Sequence, residues 1–293
     1  MRPDIDGVCS AACEHVKNYI TCQQLLRQEK LPTLIILSDQ SVDANRVYTR
    51  QKEKKCKELG IAYQLIDIQG MNGQSAYETA YEASSENRHA GIMLQLPAPG
   101  LNADEVERIQ NAMSWYQDVD GLCRMNGVNR REAWNGQAED LVLLPCTALG
   151  ILKLLEHENV KIAGADAVII GRSKIVGMPM ADILMKKNAT VTVCHSRTED
   201  LAKHTKQADI LIVAAGVPGL VTGDMVKPGA VVVDVGINRN ADGKLVGDCD
   251  TESVERVAKW VTPVPGGAGR LTVASLMENV VKAHRLGRSM WMF

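Results

Sequence analysis

The sequence has few aromatic residues and no long apolar run. Aromatic residues make up 4% of its 293 positions and include a single Phe, so the core must be built from aliphatic side chains and Met. No apolar run approaches the length of about 20 residues that a membrane-spanning helix needs. The N-terminus also lacks the basic-then-apolar pattern of a signal peptide. We therefore expect a cytoplasmic or organelle-matrix protein with no membrane partner.

Neither an excess of charge nor a metal-binding pattern is present. The 33 basic and 35 acidic residues give a formal net charge of −2, which argues against nucleic acid as a partner because its binding needs a concentrated basic face. The 8 cysteines include no Cys-x-x-Cys pair, and the 6 histidines complete no zinc spacing. Cys9, Cys13 and His15 lie close together, but their segment is predicted to be helical. Reduced, mostly buried thiols are expected, and no metal.

In the first half of the chain, β-rich runs alternate with helical stretches, which is typical of an α/β protein. We predict strands and helices in alternation at Thr33–Leu37, Ala44–Leu59, Tyr63–Ile68, Ala76–Ser85, Gly91–Leu96 and Ala103–Ala112. Residues 115–146 are less regular. We interpret them as a functional loop region that leads to a domain boundary.

The second half begins the alternation again after a helix at Leu149–Glu156. The predicted elements are a strand, a helix, three further strands and a final helix: Ala165–Ile170, Pro179–Lys187, Thr190–Cys194, Ile210–Ala214, Ala230–Val235 and Leu271–Leu286. We therefore predict two α/β domains, residues 1–146 and 147–270. The second is Rossmann-like, and the C-terminal helix within residues 271–293 is expected to pack back on the first.

The segment from Ala165 to Pro179 has the order of a mononucleotide-binding unit. A continuous apolar strand ends at Gly171, and Pro179 suits the first turn of the helix that follows. The exposed N–H groups of a helix N-terminus favour a pyrophosphate. However, Gly171 and Gly177 are six residues apart rather than in the Gly-x-Gly-x-x-Gly spacing. By itself the segment could be an ordinary strand-to-helix turn.

The end of the next strand favours NADP over NAD. An acid at this point would bind the ribose 2′-hydroxyl of NAD and repel a 2′-phosphate, whereas guanidinium groups attract the phosphate. No carboxylate follows Cys194 before Glu199, and Ser196, Arg197 and Arg172 supply a hydroxyl and positive charge. The alternative for Arg197 is a solvated surface charge. The later strand ends at 214–218 and 235–238 hold small residues that would let the backbone approach the nicotinamide ribose.

Tyr48 and Lys52 are four residues apart on a predicted helix, so both side chains project from one face. A partly desolvated Lys can have its pKa lowered into the range useful for proton transfer, although exposed Tyr–Lys pairs are common on helices. Short-chain dehydrogenases also use Tyr-x-x-x-Lys, but in them the cofactor loop precedes the Tyr, and here that order is reversed.

Three further polar side chains lie at a strand end or a turn. Gln95 is either a site residue or a hydrogen-bonded amide at the edge of the core. Asp118 and Asp120 flank a turn, where carboxylates commonly cap backbone amides. From the residues alone, each of these three side chains could be a site residue or a hydrogen-bonding group with a structural role.

Taken in order, these segments resemble the bifunctional methylenetetrahydrofolate dehydrogenase/methenyltetrahydrofolate cyclohydrolases over nearly the whole chain. The matching blocks lie at residues 47–52, 95–99, 118–121, 145–147, 171–179, 234–238 and 262–267. Their combined order is far more specific than any one block.

The resemblance implies an enzyme that oxidises 5,10-methylenetetrahydrofolate with NADP and hydrolyses the methenyl product to 10-formyltetrahydrofolate. It implies that Lys52 assists proton movements, that Gln95 tunes Lys52, that Asp120 holds the pterin and that Tyr48 stacks on or positions the folate. It also implies a homodimer joined through the cofactor domains and a folate cleft between the two domains.

These inferences together define the candidate site. The predicted catalytic residues are Lys52, Tyr48, Gln95 and Asp120. The predicted substrate-binding residues are Tyr48, Lys52, Gln95, Leu96, Pro97, Asp120, Pro265, Gly266 and Gly267. The predicted cofactor-binding residues are Thr147, Gly171, Arg172, Ser173, Ile175, Ser196, Arg197, Ala215, Gly216, Ile237 and Thr272.

The sequence departs from the family pattern at Asn45, where Ser is usual, and at Ala148 and Arg270, where Pro is usual. Arg270 could reshape the folate contacts or meet the glutamate tail. Two other functions stay open: a dehydrogenase without hydrolase activity, and an inactive folate- or dinucleotide-binding regulator. The presence of Lys52 and Asp120 argues against the regulator, and the presence of Tyr48, Lys52 and Gln95 argues against loss of the hydrolase.

Overall fold

The computed structural model describes residues 2–26, 31–132 and 141–290, and contacts divide the chain into two compact units. The unit called here the first unit comprises Ala11–Cys146 and Val273–Phe293. The second unit comprises Met1–Ser10 and Thr147–Thr272. The predicted two-domain α/β fold is confirmed.

The first unit is built on a parallel sheet with strand order β2-β1-β3. Its strands are β1 (Thr33–Ser38), β2 (Ala62–Asp67) and β3 (Ala90–Gln95). The helices up to Glu132 are α1 (Ile5–Leu25), which begins in the second unit, α2 (Asp43–Leu59), α3 (Gly73–Glu86), α4 (Ala103–Gln110) and α5 (Arg124–Glu132).

The second unit contains a five-stranded sheet with strand order β10-β7-β6-β4-β5, and all neighbouring strands are parallel. The strands are β4 (Asp166–Ile170), β5 (Thr190–Cys194), β6 (Ile210–Val213), β7 (Val231–Asp234) and β10 (Trp260–Val261). A two-stranded antiparallel ribbon joins β8 (Asn238–Arg239) to β9 (Leu245–Val246). The helices are α6 (Cys146–His157), α7 (Gly177–Lys186), α8 (Leu201–Thr205), α9 (Thr251–Glu255) and α10 (Ala268–Met290), which continues into the first unit.

Strand β1 is buried on both faces, which explains its continuous apolar sequence. Leu34 and Ile36 belong to a core cluster with side chains of α1, α2 and the later part of α10. Ile35 and Leu37 point to the opposite face and belong to a second cluster with α3 and α4. The ends of β1 and β3 are therefore held between two layers of helices, and this fixes the position of the residues that follow them.

Strand β4 lies between β5 and β6, so the strand order reverses beside it. The chain passes from β4 to β5 on one side and then returns to form β6 on the other. In open parallel sheets, ligands bind at such a reversal, outside the carboxyl ends of the strands. The pairing of Ile170 with Val213 places the Gly171 turn beside Ala214 at this edge.

The structure contains several short elements that the sequence analysis did not predict. Helix α5 lies in the segment that we interpreted as irregular, and β8 and β9 lie in the glycine-rich segment after β7. Helices α8 and α9 and strand β10 have 2–5 residues, too few to show a clear periodicity. All 8 cysteines are free thiols and 5 of them are buried, as predicted. In the part of the chain that the structure describes, no helix is long and apolar enough to span a membrane.

Candidate active site

Lys52 lies on the buried face of α2, and its amine reaches the end of β3. Its exposed fraction is 8%, although most Lys side chains are solvated. Nζ donates a hydrogen bond of 2.5 Å to Gln95 Oε1 and lies 3.5 Å from Met93 Sδ. Gln95 Nε2 donates to the carbonyl of Leu96 at 2.7 Å. Gln95 is thus hydrogen-bonded at the edge of the core and also contacts the candidate catalytic amine. The two interpretations of Gln95 that the sequence left open are therefore compatible.

Burial and charge act in opposite directions on the Lys52 amine. Burial lowers its pKa because the charged form loses solvation, and the negative charge of Asp120 acts to raise the pKa. Burial also raises the pKa of Asp120, while Lys52 acts to lower it. The net pKa of Lys52 is below its ordinary value. A lowered pKa brings the neutral amine closer to physiological pH, where it can accept a proton.

Asp120 is placed by a segment that adds to the edge of β3. Ile92 N donates to the Gln117 carbonyl at 2.6 Å, and Val119 N donates to the Ile92 carbonyl at 3.1 Å. The close approach of this segment to β3 requires a glycine at position 91, where an added Cβ would lie 2.3 Å from Val119 Cγ1. This short pairing carries Asp120 to the same strand edge as Gln95.

Asp118 has a structural role that differs from that of Asp120. Its Oδ2 accepts hydrogen bonds from Cys123 N at 2.7 Å and from Asn126 Nδ2 at 3.1 Å. The carboxyl is 1% exposed, and burial raises its pKa to about 6. Asp118 therefore caps the turn and the start of α5, as the turn interpretation predicted.

Cys146 and Asn279 support this segment and were not predicted as site residues. Cys146 Sγ donates to the Val119 carbonyl at 3.1 Å, and burial raises the pKa of this thiol, which keeps it protonated. Asn279 Nδ2 donates to the carbonyls of Val119 at 2.8 Å and Leu144 at 2.9 Å. Cys146 stood within a matching block, whereas a single Asn in an apolar helix gave no local signal.

Tyr48 lies one helical turn before Lys52 and is 38% exposed, so its ring is available to a ligand. The Leu96–Pro97 peptide bond is cis. Asn45, which is fully buried, donates through Nδ2 to the carbonyls of Asp39 at 3.0 Å and Pro97 at 2.8 Å. The first unit thus brings together six of the predicted residues: Tyr48, Lys52, Gln95, Leu96, Pro97 and Asp120.

The other three predicted substrate residues belong to the second unit. Pro265, Gly266 and Gly267 follow β10, and the Val264–Pro265 bond is cis. Gly266 has a φ of 107° and is exposed, while an added Cβ at Gly267 would lie 2.5 Å from the Pro263 carbonyl oxygen. The sequence needs glycine at both positions, first for backbone conformation and then for space.

The glycines after β4 allow three backbone segments to meet at the reversal of strand order. Gly171 has a φ of 120°, and an added Cβ would lie 2.2 Å from the Ala214 carbonyl oxygen. At Gly177 an added Cβ would lie 2.1 Å from the Gly171 carbonyl oxygen. The turn, the start of α7 and the end of β6 are therefore in close contact. This packing explains the six-residue spacing, which differs from the usual dinucleotide fingerprint.

Most of the other predicted cofactor residues lie exposed at these strand ends. Arg172, Ser173 and Ile175 follow β4, Ser196 and Arg197 follow β5, Gly216 follows β6 and Ile237 follows β7; each is exposed, whereas Ala215 is half-buried. Ser173 Oγ accepts a hydrogen bond from Val176 N at 3.2 Å, which caps the turn before α7. An added Cβ at Gly216 would meet nothing within 4 Å, so a ligand can approach the backbone there.

Thr147 and Thr272 form a separate pair, with their hydroxyls 3.0 Å apart at the starts of α6 and α10. Arg270 forms an ion pair with Asp6 at 2.5 Å, and both side chains are more than half exposed. This contact within the second unit occupies the Arg270 guanidinium, which from the sequence could meet the glutamate tail of the folate. A role for Arg270 in folate binding stays a hypothesis.

Two family models match the chain. The model described as the catalytic domain of tetrahydrofolate dehydrogenase/cyclohydrolase matches residues 6–120. The model described as the NAD(P)-binding domain of the same enzymes matches residues 145–288. Together they cover most of both units.

Individual relatives agree with the family models. Bifunctional protein FolD of Campylobacter hominis is 41% identical over 95% of this chain and 96% of its own length. The crystal structure of the bifunctional FolD dehydrogenase/cyclohydrolase from Campylobacter jejuni is 37% identical and matches with a TM-score of 0.88, over 97% of this chain and 98% of its own. The Trypanosoma brucei FolD, complexed with NADP and an inhibitor, is 28% identical with a TM-score of 0.90, over 99% and 98% of the two chains. The chain therefore belongs to the tetrahydrofolate dehydrogenase/cyclohydrolase family.

Proposed function

We propose that this chain oxidises 5,10-methylenetetrahydrofolate to 5,10-methenyltetrahydrofolate with NADP and then hydrolyses the methenyl product to 10-formyltetrahydrofolate. The observation that carries the proposal is the buried Lys52 amine, 2.5 Å from Gln95 Oε1 and under the influence of the Asp120 charge. Binding of a dinucleotide alone does not require a buried amine that is hydrogen-bonded to a side-chain amide.

In the hydrolytic step, the neutral Lys52 amine removes a proton from the water that attacks the methenyl carbon. A C–O bond forms, and Lys52 then returns its proton to N5 as the bond from this carbon to N5 breaks. The remaining hydroxyl proton is released to solvent as the C=O bond forms, and the formyl group remains on N10. General base catalysis of this kind works best when the pKa of the base lies near the operating pH, which agrees with the lowered pKa of Lys52. Gln95 holds the amine by a neutral hydrogen bond and does not add a charge.

The folate is bound in the first unit by groups of three kinds. The exposed ring of Tyr48 offers a face for stacking. The Asp120 carboxylate accepts hydrogen bonds from the N–H groups of the pterin, and Leu96 and Pro97 provide backbone and apolar contacts. The assignment of Pro265, Gly266 and Gly267 to substrate binding stays a prediction.

The second unit holds the dinucleotide at the carboxyl ends of β4, β5, β6 and β7. The open space beside Gly216 and the exposed Arg172 and Arg197 fit a dinucleotide that carries a 2′-phosphate. When bound, NADP accepts the hydride from the methylene carbon. The pairing of Cys194 with Ile170 supports this assignment, because the segment that carries Arg197 leaves β5 beside the turn that follows β4. Roles for Thr147 and Thr272 in cofactor binding, a homodimer and a cytoplasmic location stay predictions.

The proposal is tested by measuring the two reactions separately. Protein, 5,10-methylenetetrahydrofolate and either NADP or NAD are mixed, and the absorbance of the methenyl intermediate reports its formation. Hydrolysis is measured by adding the methenyl compound without dinucleotide. We expect NADP-dependent oxidation and enzyme-accelerated hydrolysis.

The variant Lys52→Met should lose hydrolysis by at least about 100-fold, since general acid–base catalysis contributes about that much or more. Lys54→Met is the matched control, because Lys54 lies on the same helix and is exposed. Full hydrolysis by Lys52→Met would refute the role of Lys52. Oxidation without any hydrolysis by the wild type would favour a dehydrogenase-only enzyme.

A further inference from the structure

Two buried aspartates lie beneath the loops that follow β6 and β7. Asp234 and Asp248 both have an exposed fraction of 0%. Asp234 is the last residue of β7, and Asp248 follows the β8–β9 ribbon. Charged side chains are almost never fully buried unless their hydrogen bonds are satisfied, so the partners of these carboxylates define what they hold in place.

The Asp248 carboxylate accepts hydrogen bonds from two different loops. Its Oδ2 accepts from the backbone amides of Ala215 at 2.7 Å and Gly216 at 2.9 Å. Its Oδ1 accepts from Asn238 Nδ2 at 2.7 Å. One side chain thus joins the loop after β6 to the loop after β7.

Asp234 holds the segment that carries Asp248. Its Oδ1 accepts from Gly236 N at 2.9 Å and Asp248 N at 3.0 Å, and its Oδ2 accepts from Cys249 N at 2.9 Å. An added Cβ at Gly236 would lie 2.3 Å from Asp248 Oδ1, and one at Gly247 would lie 1.9 Å from Asp234 Oδ2. The two carboxylates therefore lie against backbone that only glycine permits, and Asp248 has little freedom to move.

The hydrogen bonds to Asp248 also determine which backbone atoms remain for a ligand. In a trans peptide, the carbonyl points away from the following N–H. Because the N–H groups of Ala215 and Gly216 point to Asp248, the carbonyls of Ala214 and Ala215 point away from it. The Ala214 carbonyl lies against the Gly171 turn, at the reversal of strand order. Acceptors presented in this way suit a ligand that brings donors, such as a carboxamide or ribose hydroxyls.

We propose that Asp248 is a positioning residue for the dinucleotide. It fixes the loops at Ala215–Gly216 and Asn238, so that the carbonyl and Cα surfaces of these loops receive the nicotinamide riboside half of the dinucleotide. The inference rests on the proposed function, in which a dinucleotide binds the second unit. Asp248 itself acts through the backbone and makes no contact with the reacting atoms.

The test compares Asp248→Ala with Asp248→Asn. The alanine variant removes every acceptor, and we expect the Kd for NADP, measured by calorimetry, and the KM for NADP to rise by about tenfold or more, because hydrogen bonds to a charged group are stronger than neutral ones. In the asparagine variant, one oxygen still faces the two backbone amides, and the Asn238 amide can turn over to accept from the new NH₂ group. We therefore expect it to restore most of the affinity for NADP.

Hydrolysis of the methenyl compound without dinucleotide is the internal control, since it uses Lys52 in the first unit. It should stay unchanged in both variants, whereas general unfolding would reduce it in parallel with NADP binding. Asp250→Ala, an exposed neighbour, should leave both measurements unchanged. An unaltered Kd for NADP in Asp248→Ala, a parallel loss of hydrolysis, or no recovery in Asp248→Asn would overturn the inference. If the wild type neither oxidised nor hydrolysed folate but still bound NADP in an Asp248-dependent manner, the proposed function would fail and the positioning role would stand.

Discussion

The substitution Gln95→Glu places a negative charge against the candidate catalytic amine with little change of shape. In the native protein the amide oxygen of Gln95 lies 2.5 Å from Lys52 Nζ, and burial lowers the pKa of this Lys. A carboxylate at the same position favours the protonated amine. The pKa of Lys52 is therefore expected to rise, and the neutral form that removes the proton from water becomes scarcer.

The expected magnitude follows from the short distance and the burial of the pair. An opposite charge within about 4–6 Å moves a pKa by about 1–3 units, and each unit corresponds to about 1.4 kcal/mol. Below the pKa of the amine, each unit reduces its neutral fraction about tenfold. Hydrolysis at constant pH should thus fall by about 10- to 1000-fold, and the pH–rate profile should move by the same number of units toward alkaline pH.

The assay is hydrolysis of the methenyl compound over a series of pH values, without dinucleotide and corrected for the uncatalysed reaction. Gln95→Met is the control, because it removes the amide without adding a charge. Its rate should fall without an alkaline displacement of the profile. If Gln95→Glu lowered the rate with no displacement relative to Gln95→Met, the assignment of the neutral Lys52 amine as the base would be refuted.

Three further predictions concern other parts of the molecule. Arg197→Ala should reduce the NADP-to-NAD ratio of kcat/KM by about tenfold or more, since it removes a charged partner of the 2′-phosphate; an unchanged ratio would show that Arg197 is a solvated surface charge. Asp118→Asn should become more stable relative to the wild type as the pH rises from about 4 to about 6, by up to about 3 kcal/mol, and the difference should then stay constant, because the wild-type fold raises the pKa of this carboxyl to about 6 and so opposes an ionisation that the unfolded chain undergoes near pH 4. Urea denaturation at several pH values measures this difference, and a difference that is the same at about pH 4 and about pH 6 would contradict it. Asn45→Ala should cost about 1–3 kcal/mol in the free energy of unfolding, because the carbonyls of Asp39 and Pro97 lose the donor that the buried Asn45 side chain supplies; urea denaturation measures the loss, and Asn45→Ser, with a single donor, should lose less than Asn45→Ala.

The elements with a clear pattern were predictable from the sequence. Strand β1 is a continuous apolar run because helices cover both of its faces, and the helix at Tyr48 and Lys52 was evident from its spacing. Helix α5 was not predictable in the same way. Its sequence is polar, and it is anchored by hydrogen bonds from Cys123 and Asn126 to the Asp118 carboxyl, which leave no apolar periodicity in the sequence.

Residues of the candidate site were predictable where the type of residue and the order of the motifs around it indicate a chemical role. Lys52, Gln95 and Asp120 could be named from a motif order, and the lack of an acid before Glu199 indicated NADP. Asn279 and Asp248 could not be named, because a single polar residue gives no local pattern. Their importance comes from backbone groups more than 20 residues away in the chain, which they reach only in the folded protein.

The sequence by itself determined the class of the fold, the division into two domains with different chemistry and the family, because apolar periodicity and the order of motifs are local properties of the chain. The tertiary structure decided the properties that depend on burial and neighbours. It lowered the pKa of Lys52 by removing the amine from water, gave Asp118 a capping role while the Asp120 charge acts on Lys52, and turned the amides after β6 toward a buried carboxylate. These effects arise from the distances between groups and from the loss of solvent around them, and a linear sequence specifies neither directly.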